Sequence, residues 1–328
     1  MTHAIRFHAP GAPEQLVWEE VPLPEPGPGE VRLRHTAIGV NYIDVYHRSG
    51  AYPLPLPACP GFEAVGAVEA LGPGVEGLRV GQRVAYVDGP PGAYAESRLH
   101  PADRLVAIPE DLADDTVAAL IFKGLTTHML VRRVWRPEPG VWVLVHAAAG
   151  GVGLMLTRWL AAEGARVIAV VSSEAKAEAV RAEGAQAVIV VPRGAGYGDL
   201  PAQVRRLTGG QGVRVAYDSV GADTFEASRD SLAPFGLLAS FGRASGPLPV
   251  VDPMDFGRRG SLALQRPSIF HHIADPSDLR ASAAEVFDAY RAGKIRAHIH
   301  ARFPLREAAK AHALLESRAT QGALLLIP

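Results

Sequence analysis

Apolar side chains in the first part of the chain follow the spacing of strands. Residues 30–37 alternate apolar and polar positions, and residues 62–71 and 81–87 carry valines around glycine. Segments of this kind, separated by prolines and turn glycines, are typical of half-buried strands at short spacing. Residues 1–124 are therefore predicted to form a compact, β-rich domain.

The pattern changes near residue 125, where apolar strands begin to alternate with helical segments. Strands are predicted at 141–145, 166–171, 187–191, 213–217, 236–241 and 261–264, and helices at 154–162, 175–183, 200–207 and 224–232. Repeated strand–helix–strand units form a parallel, doubly wound sheet, so residues 125–265 are predicted to be an α/β domain of the Rossmann type. Ligands of such sheets bind at the carboxyl ends of the strands.

The tail of the chain returns to mixed structure. Residues 266–328 show helical patterns near 276–292 and 305–317 and end in an apolar strand. We expect this tail to fold back on residues 1–124 and to complete a catalytic domain beside the dinucleotide-binding domain at 125–265.

A glycine-rich turn lies between the strand at 141–145 and the helix at 154–162. Strand, glycine turn and helix form the context of a dinucleotide fingerprint, because the helix N-terminus presents unpaired N–H groups to phosphates. Gly150 would let the backbone approach a pyrophosphate, and Gly153 would let the helix pack on the strand. The predicted cofactor contacts are Ala148, which replaces the first glycine of the fingerprint, with Gly150, Gly151, Val152 and Gly153.

The strand at 166–171 ends without the acidic residue that usually holds the ribose 2′-hydroxyl of NAD. It continues into Ser172 and Ser173, whose hydroxyls can donate to a 2′-phosphate, and Lys176 can supply charge one helical turn later. The alternative is that Ser173 caps the helix and Lys176 is solvated. Glu174 favours NADH unless it serves the helix dipole. The missing acid favours NADPH as the cofactor.

Composition excludes several other classes of protein. The chain has 328 residues, 48% apolar content and a net charge of −1, so nucleic acid and anionic membranes have no electrostatic basis as main partners. No apolar run approaches the length of a membrane span, and the N-terminus lacks the pattern of a signal peptide. Cys59 is the only cysteine, so no internal disulfide can form. We expect a cytoplasmic protein.

Eight motifs follow one another in order from residue 39 to the end of the chain. They are Gly39-Val-Asn-Tyr-Ile-Asp44, Arg48-Ser-Gly50, Gly61-Phe-Glu-Ala-Val-Gly66, Lys123-Gly-Leu-Thr126, Asp218-Ser-Val-Gly221, Ser240-Phe-Gly242, Arg266-Pro-Ser268 and Glu316-Ser-Arg-Ala-Thr-Gln-Gly322. Together with the Ala148–Gly153 turn, Tyr46 and Tyr52-Pro53, they resemble the medium-chain dehydrogenase/reductase superfamily, and more closely its zinc-free quinone oxidoreductase branch, which includes ζ-crystallin. The resemblance implies a GroES-like catalytic domain, and a homodimer formed through the exposed edge strand at 261–264.

Two positions depart from the zinc-dependent members of that superfamily. Those members carry Cys where this chain has Asn41 and His where it has Phe62, so two of three catalytic zinc ligands are missing and no zinc is expected. Without a Lewis acid on the oxygen, hydride transfer favours an acceptor activated by its own electronics, such as a quinone or an enone.

Polar and aromatic residues of the first motifs are candidates for contact with the acceptor. Asn41 is the only asparagine of the chain, and we assign it to the nicotinamide ribose or the substrate carbonyl rather than to a turn or cap. The resemblance implies that Tyr46 and Tyr52 line a flat acceptor pocket, the alternative being ordinary core or surface tyrosines. Thr126 is expected to bind the nicotinamide or to cap a helix.

The resemblance also implies the rest of the cofactor site. It places the turns after the fourth and fifth strands against the nicotinamide half, through Ser219, Gly221, Phe241 and Gly242. Arg266 is expected near cofactor or substrate unless it is a surface residue. Arg193, after the third strand, could assist at the adenosine phosphate.

These features predict an NADPH-dependent, metal-free quinone reductase, in which the protein supplies orientation and a few hydrogen bonds. One alternative is an NADPH-dependent reductase of the carbon–carbon double bond in alkenals or enones, with the same fold and hydride donor. Another is a non-enzymatic protein that binds NADPH or RNA, which the net charge of −1 disfavours in the case of RNA.

Overall fold

The computed structural model describes residues 1–328 and divides into two compact units. Unit 1 contains Met1–Lys123, Ile273–Val286 and Ala297–Pro328, and unit 2 contains Gly124–His272 and Phe287–Arg296. Residues 266–272 and 287–296, which we expected in the catalytic domain, group with unit 2. The assignment of a function to each domain stays a prediction.

Strands dominate unit 1, and strands alternate with helices in most of unit 2. The strands are β1 (Thr2–Arg6), β2 (Val17–Val21), β3 (Glu30–Val40), β4 (Ala64–Leu71), β5 (Arg83–Tyr86), β6 (Ser97–Pro101), β7 (Val106–Ala107), β8 (Trp142–Val145), β9 (Arg166–Val171), β10 (Ala187–Val190), β11 (Val213–Asp218), β12 (Leu232–Ser240), β13 (Ala263–Gln265), β14 (Ile299–Pro304) and β15 (Ala323–Ile327). The helices are α1 (Tyr42–Arg48), α2 (Asp114–Met129), α3 (Gly151–Ala162), α4 (Glu174–Ala182), α5 (Leu200–Leu207), α6 (Phe225–Asp230), α7 (Pro253–Arg258), α8 (Ile269–His272), α9 (Pro276–Arg291) and α10 (Ala308–Glu316).

The six strands of unit 2 form one parallel sheet in the order β10-β9-β8-β11-β12-β13. The chain starts in the centre at β8, winds to one side and then restarts at β11, so the strand order reverses between these two neighbours. The carboxyl ends of β8 and β11 therefore flank the point where doubly wound sheets bind their ligands. The predicted Rossmann-type architecture is confirmed.

One element of this sheet was predicted wrongly. The helix predicted at 224–232 ends at Asp230, because Leu232 already pairs with Val213 as the first residue of β12. The pairing then shifts, and Leu237 pairs with Val215. Pro234 and Gly236 lie in this irregular stretch, and they concealed the start of the strand from the apolar pattern.

Unit 1 is built on a seven-stranded sheet in the order β14-β15-β3-β4-β5-β7, with β6 also paired to β3. Pairing is antiparallel except between β14 and β15. The tail thus joins the sheet of unit 1, as expected, but it supplies two strands, and only the last of them was predicted. Apolar residues of alternating positions on β3, including Val31 and Leu33, are fully buried in its core. The β-rich character of this part of the chain is confirmed.

Four helices were missed in the sequence, namely α1, α2, α7 and α8, and the first two of them lie close to the candidate site. The stretch of α2 from Val117 to Ile121 is apolar and completely buried on all sides, so no period of 3.6 marks it. The helix α1 has only seven residues and carries Asp44 and Arg48 buried. Both helices matter for function, because α1 starts directly after Asn41 and α2 contains Lys123 and Thr126. None of the helices has the length and hydropathy needed to cross a membrane.

Candidate cofactor-binding and acceptor-binding sites

The turn between β8 and α3 is shaped by close backbone contacts. Ala147 has a positive φ of 48°, and the N–H of Gly150 donates to the Ala147 carbonyl at 2.9 Å. A Cβ atom on Gly153 would lie 2.7 Å from the Cα of Ala148, so only glycine lets α3 begin this close to the turn. The first helical bond runs from Leu154 N–H to the Gly150 carbonyl.

The N–H groups of Gly151, Val152 and Gly153 therefore precede the first helical bond of α3. Such groups, together with the helix dipole, form a site for an anion. The turn lies at the carboxyl end of β8, next to β11, which is the expected position for a pyrophosphate.

Two cationic side chains that follow β9 and β10 lie near enough for their charges to interact. Burial, and next the positive charge of Arg193, lower the pKa of the Lys176 ammonium. Lys176 is half-buried rather than solvated, and the hydroxyl of Ser173 accepts a hydrogen bond from its backbone N–H at 3.4 Å. Ser173 is thus the helix N-cap of the alternative interpretation, but its hydroxyl retains a hydrogen to donate. Two cations held together favour a dianionic ligand such as a 2′-phosphate.

Ser172 and Glu174, at the start of α4, are also compatible with a 2′-phosphate. Ser172 is half-buried beside the N-terminus of α4, where an anion is stabilised. Glu174 is exposed, and its carboxylate lies 3.9 Å from the guanidinium of Arg181. The Glu174 carboxylate is therefore directed towards Arg181 of the same helix.

The buried carboxylate of Asp218, at the end of β11, accepts several hydrogen bonds from the turn that follows. It accepts hydrogen bonds of 2.7 to 3.1 Å from the N–H groups of Val220 and Gly221 and from the hydroxyls of Thr224 and Ser228. A carboxylate with four donors holds its surroundings in one conformation. Asp218 thus sets the path of the turn that contains Ser219 and Gly221.

The turns after β11 and β12 are packed backbone against backbone. A Cβ atom on Gly242 would lie 2.7 Å from the Cα of Ser219, so the contact requires glycine. The N–H of Phe241 donates to the Asp218 carbonyl at 2.8 Å. The structure thus brings Ser219, Gly221, Phe241 and Gly242 together at the carboxyl edge of the sheet.

Arg266 holds the second of these turns from the end of the neighbouring strand β13. Its guanidinium donates to the carbonyls of Ser240 and Gly242 at 2.8 and 2.9 Å. Within unit 2, Arg266 therefore fixes the backbone at the end of β12.

In unit 1, three buried polar side chains bind one another at the start of α1. The Asn41 Nδ2 donates to Oε1 of Glu63 at 2.7 Å, and the Lys123 ammonium donates to Oδ1 of Asn41 at 2.9 Å. The same ammonium lies 3.2 Å from Oε1 of Glu63, and the N–H of Phe122 donates to its other oxygen at 3.1 Å. We call Asn41, Glu63 and Lys123 the Asn41 clamp.

A second carboxyl group lies one helical turn after Asn41. Oδ2 of Asp44 accepts the backbone N–H of Asn41 at 2.8 Å and the Tyr94 hydroxyl at 3.1 Å. Burial is the main cause that raises the pKa of Asp44 to about 7; the two hydrogen bonds oppose this shift, and the charge of Glu63 adds to it. Asn41 is thus a helix cap through its backbone, while its side chain belongs to the clamp.

The network continues from Tyr94 towards the surface. The Arg48 guanidinium donates to Nδ1 of His312 at 3.4 Å and binds both carboxylate oxygens of Glu316 at 2.8 Å. Because Nδ1 accepts, Nε2 of His312 carries the hydrogen and donates to the Tyr94 hydroxyl at 2.9 Å. Burial, and next the Arg48 charge, lower the pKa of His312 to about 3, so this ring is neutral at pH 7.

Aromatic residues follow Asn41 and precede Glu63 in the chain of unit 1. The ring of Tyr46 lies 5.2 Å from that of Tyr52, and the ring of His47 lies 5.3 Å from that of Phe62. Tyr46 and Tyr52 are both half-buried, so they are neither core nor fully exposed residues. Flat rings beside a polar group are the usual lining of a site for a flat ligand.

The sequence interpretation missed four residues of this arrangement and misjudged one alternative. Glu63, Lys123, Asp44 and Asp218 were not predicted as site residues, although each lies inside one of the eight motifs. A charged residue in the middle of an apolar segment was the available signal, as for Lys123 after Ile121 and Phe122. Thr126 lies inside α2 and is buried, so the N-cap alternative for it is wrong.

No group of three or more His, Cys, Asp and Glu side chains is arranged to hold a metal ion. The residues of unit 2 do fit a phosphorylated dinucleotide, because the start of α3 offers unpaired N–H groups and Lys176 and Arg193 offer charge. The two kinds of group occur at the carboxyl ends of neighbouring strands.

The two units match two known domain families. Residues 27–110 match the family described as alcohol dehydrogenase GroES-like domain, and residues 151–288 match the family described as zinc-binding dehydrogenase. Fold and site together define a medium-chain dehydrogenase/reductase. This chain has Asn41 and Phe62 at the two positions where the resemblance places zinc ligands of the zinc-dependent members.

Full-length relatives refine this assignment. The chain is 44% identical to a quinone oxidoreductase of Pseudomonas aeruginosa over 100% of both chains. It is also 44% identical to a 2-haloacrylate reductase of Burkholderia, over 100% of this chain and 99% of the relative. The solved quinone oxidoreductase of Escherichia coli in complex with NADPH superimposes with a TM-score of 0.95 at 39% identity, covering 99% of this chain and 100% of that one. The chain belongs to the zinc-free quinone oxidoreductase branch of the superfamily.

Proposed function

We propose that this protein is an NADPH-dependent quinone reductase that works without a metal ion. The observation that carries the proposal is the full-length likeness to quinone oxidoreductases, one of which was solved with NADPH. The residues of both units are consistent with it, since unit 2 offers a dinucleotide site with two cations and unit 1 offers a polar group beside aromatic rings.

Unit 2 is proposed to hold the cofactor through its strand ends. The turn from Ala148 to Gly153 receives the pyrophosphate, and Ser172, Ser173, Lys176 and Arg193 receive the 2′-phosphate. The nicotinamide half is assigned to Thr126, Ser219, Gly221, Phe241, Gly242 and Arg266. Bound NADPH supplies the hydride, and the chain supplies orientation.

Unit 1 is proposed to hold the acceptor. Asn41 offers an amide to the acceptor carbonyl or the nicotinamide ribose, and Tyr46 and Tyr52 flank a flat ring. Orientation of the acceptor by these groups lowers the entropic part of the barrier. Protons are taken up from solvent.

Initial rates of reduced-nicotinamide loss test the proposal. NADPH and NADH are compared with a small quinone and with an unsaturated aldehyde as acceptors. We expect the quinone to oxidise NADPH much faster than NADH. Faster oxidation of NADH would refute the cofactor assignment, and no turnover despite tight NADPH binding would favour a binding protein instead.

A second candidate is reduction of an activated carbon–carbon double bond. The likeness to a 2-haloacrylate reductase at 44% identity favours it specifically. Both reactions use the same hydride donor and an electron-poor acceptor. A preference for the unsaturated aldehyde, or for a haloacrylate, over the quinone in the same assay would establish this alternative.

We further propose a homodimer formed through the edge of the parallel sheet. The edge strand β13 is paired on one side only, by β12, and is exposed along its length. The exposed apolar side chains Phe235 and Leu264 lie on or beside this edge. Exposed apolar edge strands favour pairing. A monomer mass in dilute solution by light scattering would refute the dimer.

A cytoplasmic location is proposed as well. The single cysteine, Cys59, leaves no disulfide for an oxidising compartment to form within the chain. Fractionation of source cells with an antibody to this chain tests the location.

A further inference from the structure

The Asn41 clamp determines which way the Asn41 amide faces. A lysine ammonium only donates hydrogen bonds, and an ionised carboxylate only accepts them. Since Lys123 lies 2.9 Å from one end of the amide and Glu63 lies 2.7 Å from the other, the end facing Lys123 must be Oδ1 and the end facing Glu63 must be Nδ2. The reversed amide would place donor against donor and acceptor against acceptor.

In this orientation the Asn41 side chain has one hydrogen-bond donor left for a ligand. One hydrogen of Nδ2 is bound by Glu63, and the structure gives the second hydrogen no acceptor within the protein. The Asn41 side chain belongs to a nearly buried residue, so that hydrogen is shielded from bulk water. A fixed and shielded donor favours a ligand oxygen that accepts.

We propose that Glu63 and Lys123 are positioning residues that hold the Asn41 amide as a hydrogen-bond donor to the carbonyl oxygen of the acceptor. The inference rests on the proposed function and deepens it, because a carbonyl oxygen is an acceptor only and becomes more negative as hydride arrives. A donor aimed at that oxygen stabilises the developing charge without a metal ion.

The surroundings of the clamp fit a flat carbonyl compound. Asn41 is followed by the helix that carries Tyr46, and Glu63 is preceded by Phe62. The rings of Tyr46 and Tyr52, and those of His47 and Phe62, lie within 5.3 Å of each other in pairs. Two of the three segments that supply the clamp, those of Asn41 and Glu63, thus also carry aromatic residues.

Replacement of Glu63 by glutamine is the most direct perturbation of the clamp. All three neighbours of the carboxylate, namely Asn41 Nδ2, the Lys123 ammonium and the Phe122 N–H, are donors. A glutamine amide has only one oxygen, so its NH2 group must face at least one donor. Glu63→Gln therefore weakens the constraint on the Asn41 amide at nearly unchanged volume, because a neutral amide cannot accept from all three donors.

A double-mutant cycle tests whether Glu63 acts through Asn41. Asn41→Ala is expected to lower kcat with a small quinone roughly 10- to 100-fold, as for loss of a donor to a developing negative charge. Glu63→Gln should lower kcat about tenfold, with the KM for NADPH unchanged, and the double variant should be no slower than Asn41→Ala alone. If the loss of kcat in the double variant equals the product of the two single losses, the inference is overturned.

A matched control separates positioning from stability. Asp88 and Arg104 form another ion pair of unit 1, with side chains 12% and 13% exposed and no contact to the clamp. Arg104→Met should lower the melting temperature and leave kcat unchanged. If Arg104→Met and Glu63→Gln lower kcat alike, the clamp has only a structural role.

The single asparagine of the chain permits a readout that needs no turnover. Labelling with 15N-asparagine makes the Asn41 side chain the only labelled NH2 group, with two proton signals. We expect one signal shifted downfield by the Glu63 carboxylate, and a return of that signal towards ordinary amide positions in Glu63→Gln. Addition of the quinone to the protein with NADP+ bound should shift the other signal.

The two readouts keep this inference separate from the proposed function. If the wild-type protein does not oxidise NADPH with a quinone, the proposed function fails, while the spectrum still reports whether Glu63 orients Asn41. If turnover is normal but Glu63→Gln leaves both signals unchanged, or NADP+ alone shifts the second signal and the quinone does not, the positioning inference fails.

Discussion

The two units hold their candidate functional groups by different means. In unit 2, backbone N–H groups at the start of α3 face the ligand site, and glycines at 153 and 242 let backbone segments approach each other closely. In unit 1, the groups are the side chains of Asn41, Glu63 and Lys123, which bind one another. Backbone groups are held by local chain geometry, whereas side chains need partners.

This difference indicates which kind of substitution each unit tolerates least. A site made of backbone cannot be lost by trimming a side chain, but it can be lost by adding one, since a new Cβ atom meets backbone that cannot move aside. A site made of buried polar side chains depends on charge and protonation, because each unpaired group in the interior is costly. Additions should therefore damage unit 2 and charge changes should damage unit 1.

The largest effect is expected from Gly153→Ala in unit 2. The new Cβ atom would lie 2.7 Å from backbone atoms of Ala148, so α3 must shift away from β8. We expect a melting temperature roughly 6 to 10 °C lower and weaker NADPH binding. Thermal unfolding and fluorescence titration with NADPH measure both.

Gly198→Ala is the matched control for this change. Gly198 is an exposed loop residue of unit 2, and a Cβ atom added to it would meet no other atom within 4 Å. Equal losses in the two variants would mean that the α3 turn tolerates a side chain, and the contrast between the units would be lost.

A pH effect of intermediate size is expected from Asp44 in unit 1. Its folded-state pKa of about 7 exceeds the ordinary value of 3.8, mainly because burial penalises the carboxylate. The stabilisation from protonated Asp44 is therefore fully present below pH 3.8 and is lost as the pH rises through about 7. His312 is buried and neutral, and its pKa is lowered to about 3. Its contribution to stability has the opposite pH dependence, because it is lost as the pH falls below the ordinary pKa of 6.5.

Comparison with Asp44→Asn isolates the carboxyl group from the histidines. The melting temperature of the wild type relative to Asp44→Asn should fall by roughly 2 to 5 °C between pH 4 and pH 7.5. Differential scanning calorimetry in matched buffers measures this difference. A difference that does not change with pH would contradict the raised pKa.

The smallest effect is expected from Lys176→Ala, which tests charge in unit 2. The charges of Lys176 and Arg193 interact, and Arg193 remains after the substitution. We expect about tenfold weaker NADPH binding and little change for NADH, and the loss should diminish at high salt. Titration calorimetry with both nucleotides measures the two affinities.

Arg181→Ala serves as its control on the same helix. Arg181 is exposed, and its guanidinium lies 3.9 Å from Glu174. Its removal should leave both affinities unchanged. A similar loss in Arg181→Ala would show that α4 attracts the nucleotide by its overall charge rather than through Lys176.

The sequence by itself determined the parts of the molecule whose physics is local. The alternation of apolar strands and helices predicted the parallel sheet, and the glycine turn before Leu154 predicted the start of α3. Here the pattern, the turn chemistry and the helix start lie within a few residues of one another. Within the predicted strand–helix repeats the errors lie at the edges of elements, as at Leu232, where a register shift hid the start of the strand.

The tertiary structure alone decided the Asn41 clamp and the network around Asp44. Glu63 and Lys123 are 22 and 82 residues from Asn41 along the chain, and no periodicity links them. The buried helices α1 and α2 carry no amphipathic pattern, so the sequence did not indicate the elements that bring these side chains together. Burial then gives the clamp its single orientation and raises the pKa of Asp44, because a low-dielectric interior strengthens each charge interaction and penalises each unpaired charge.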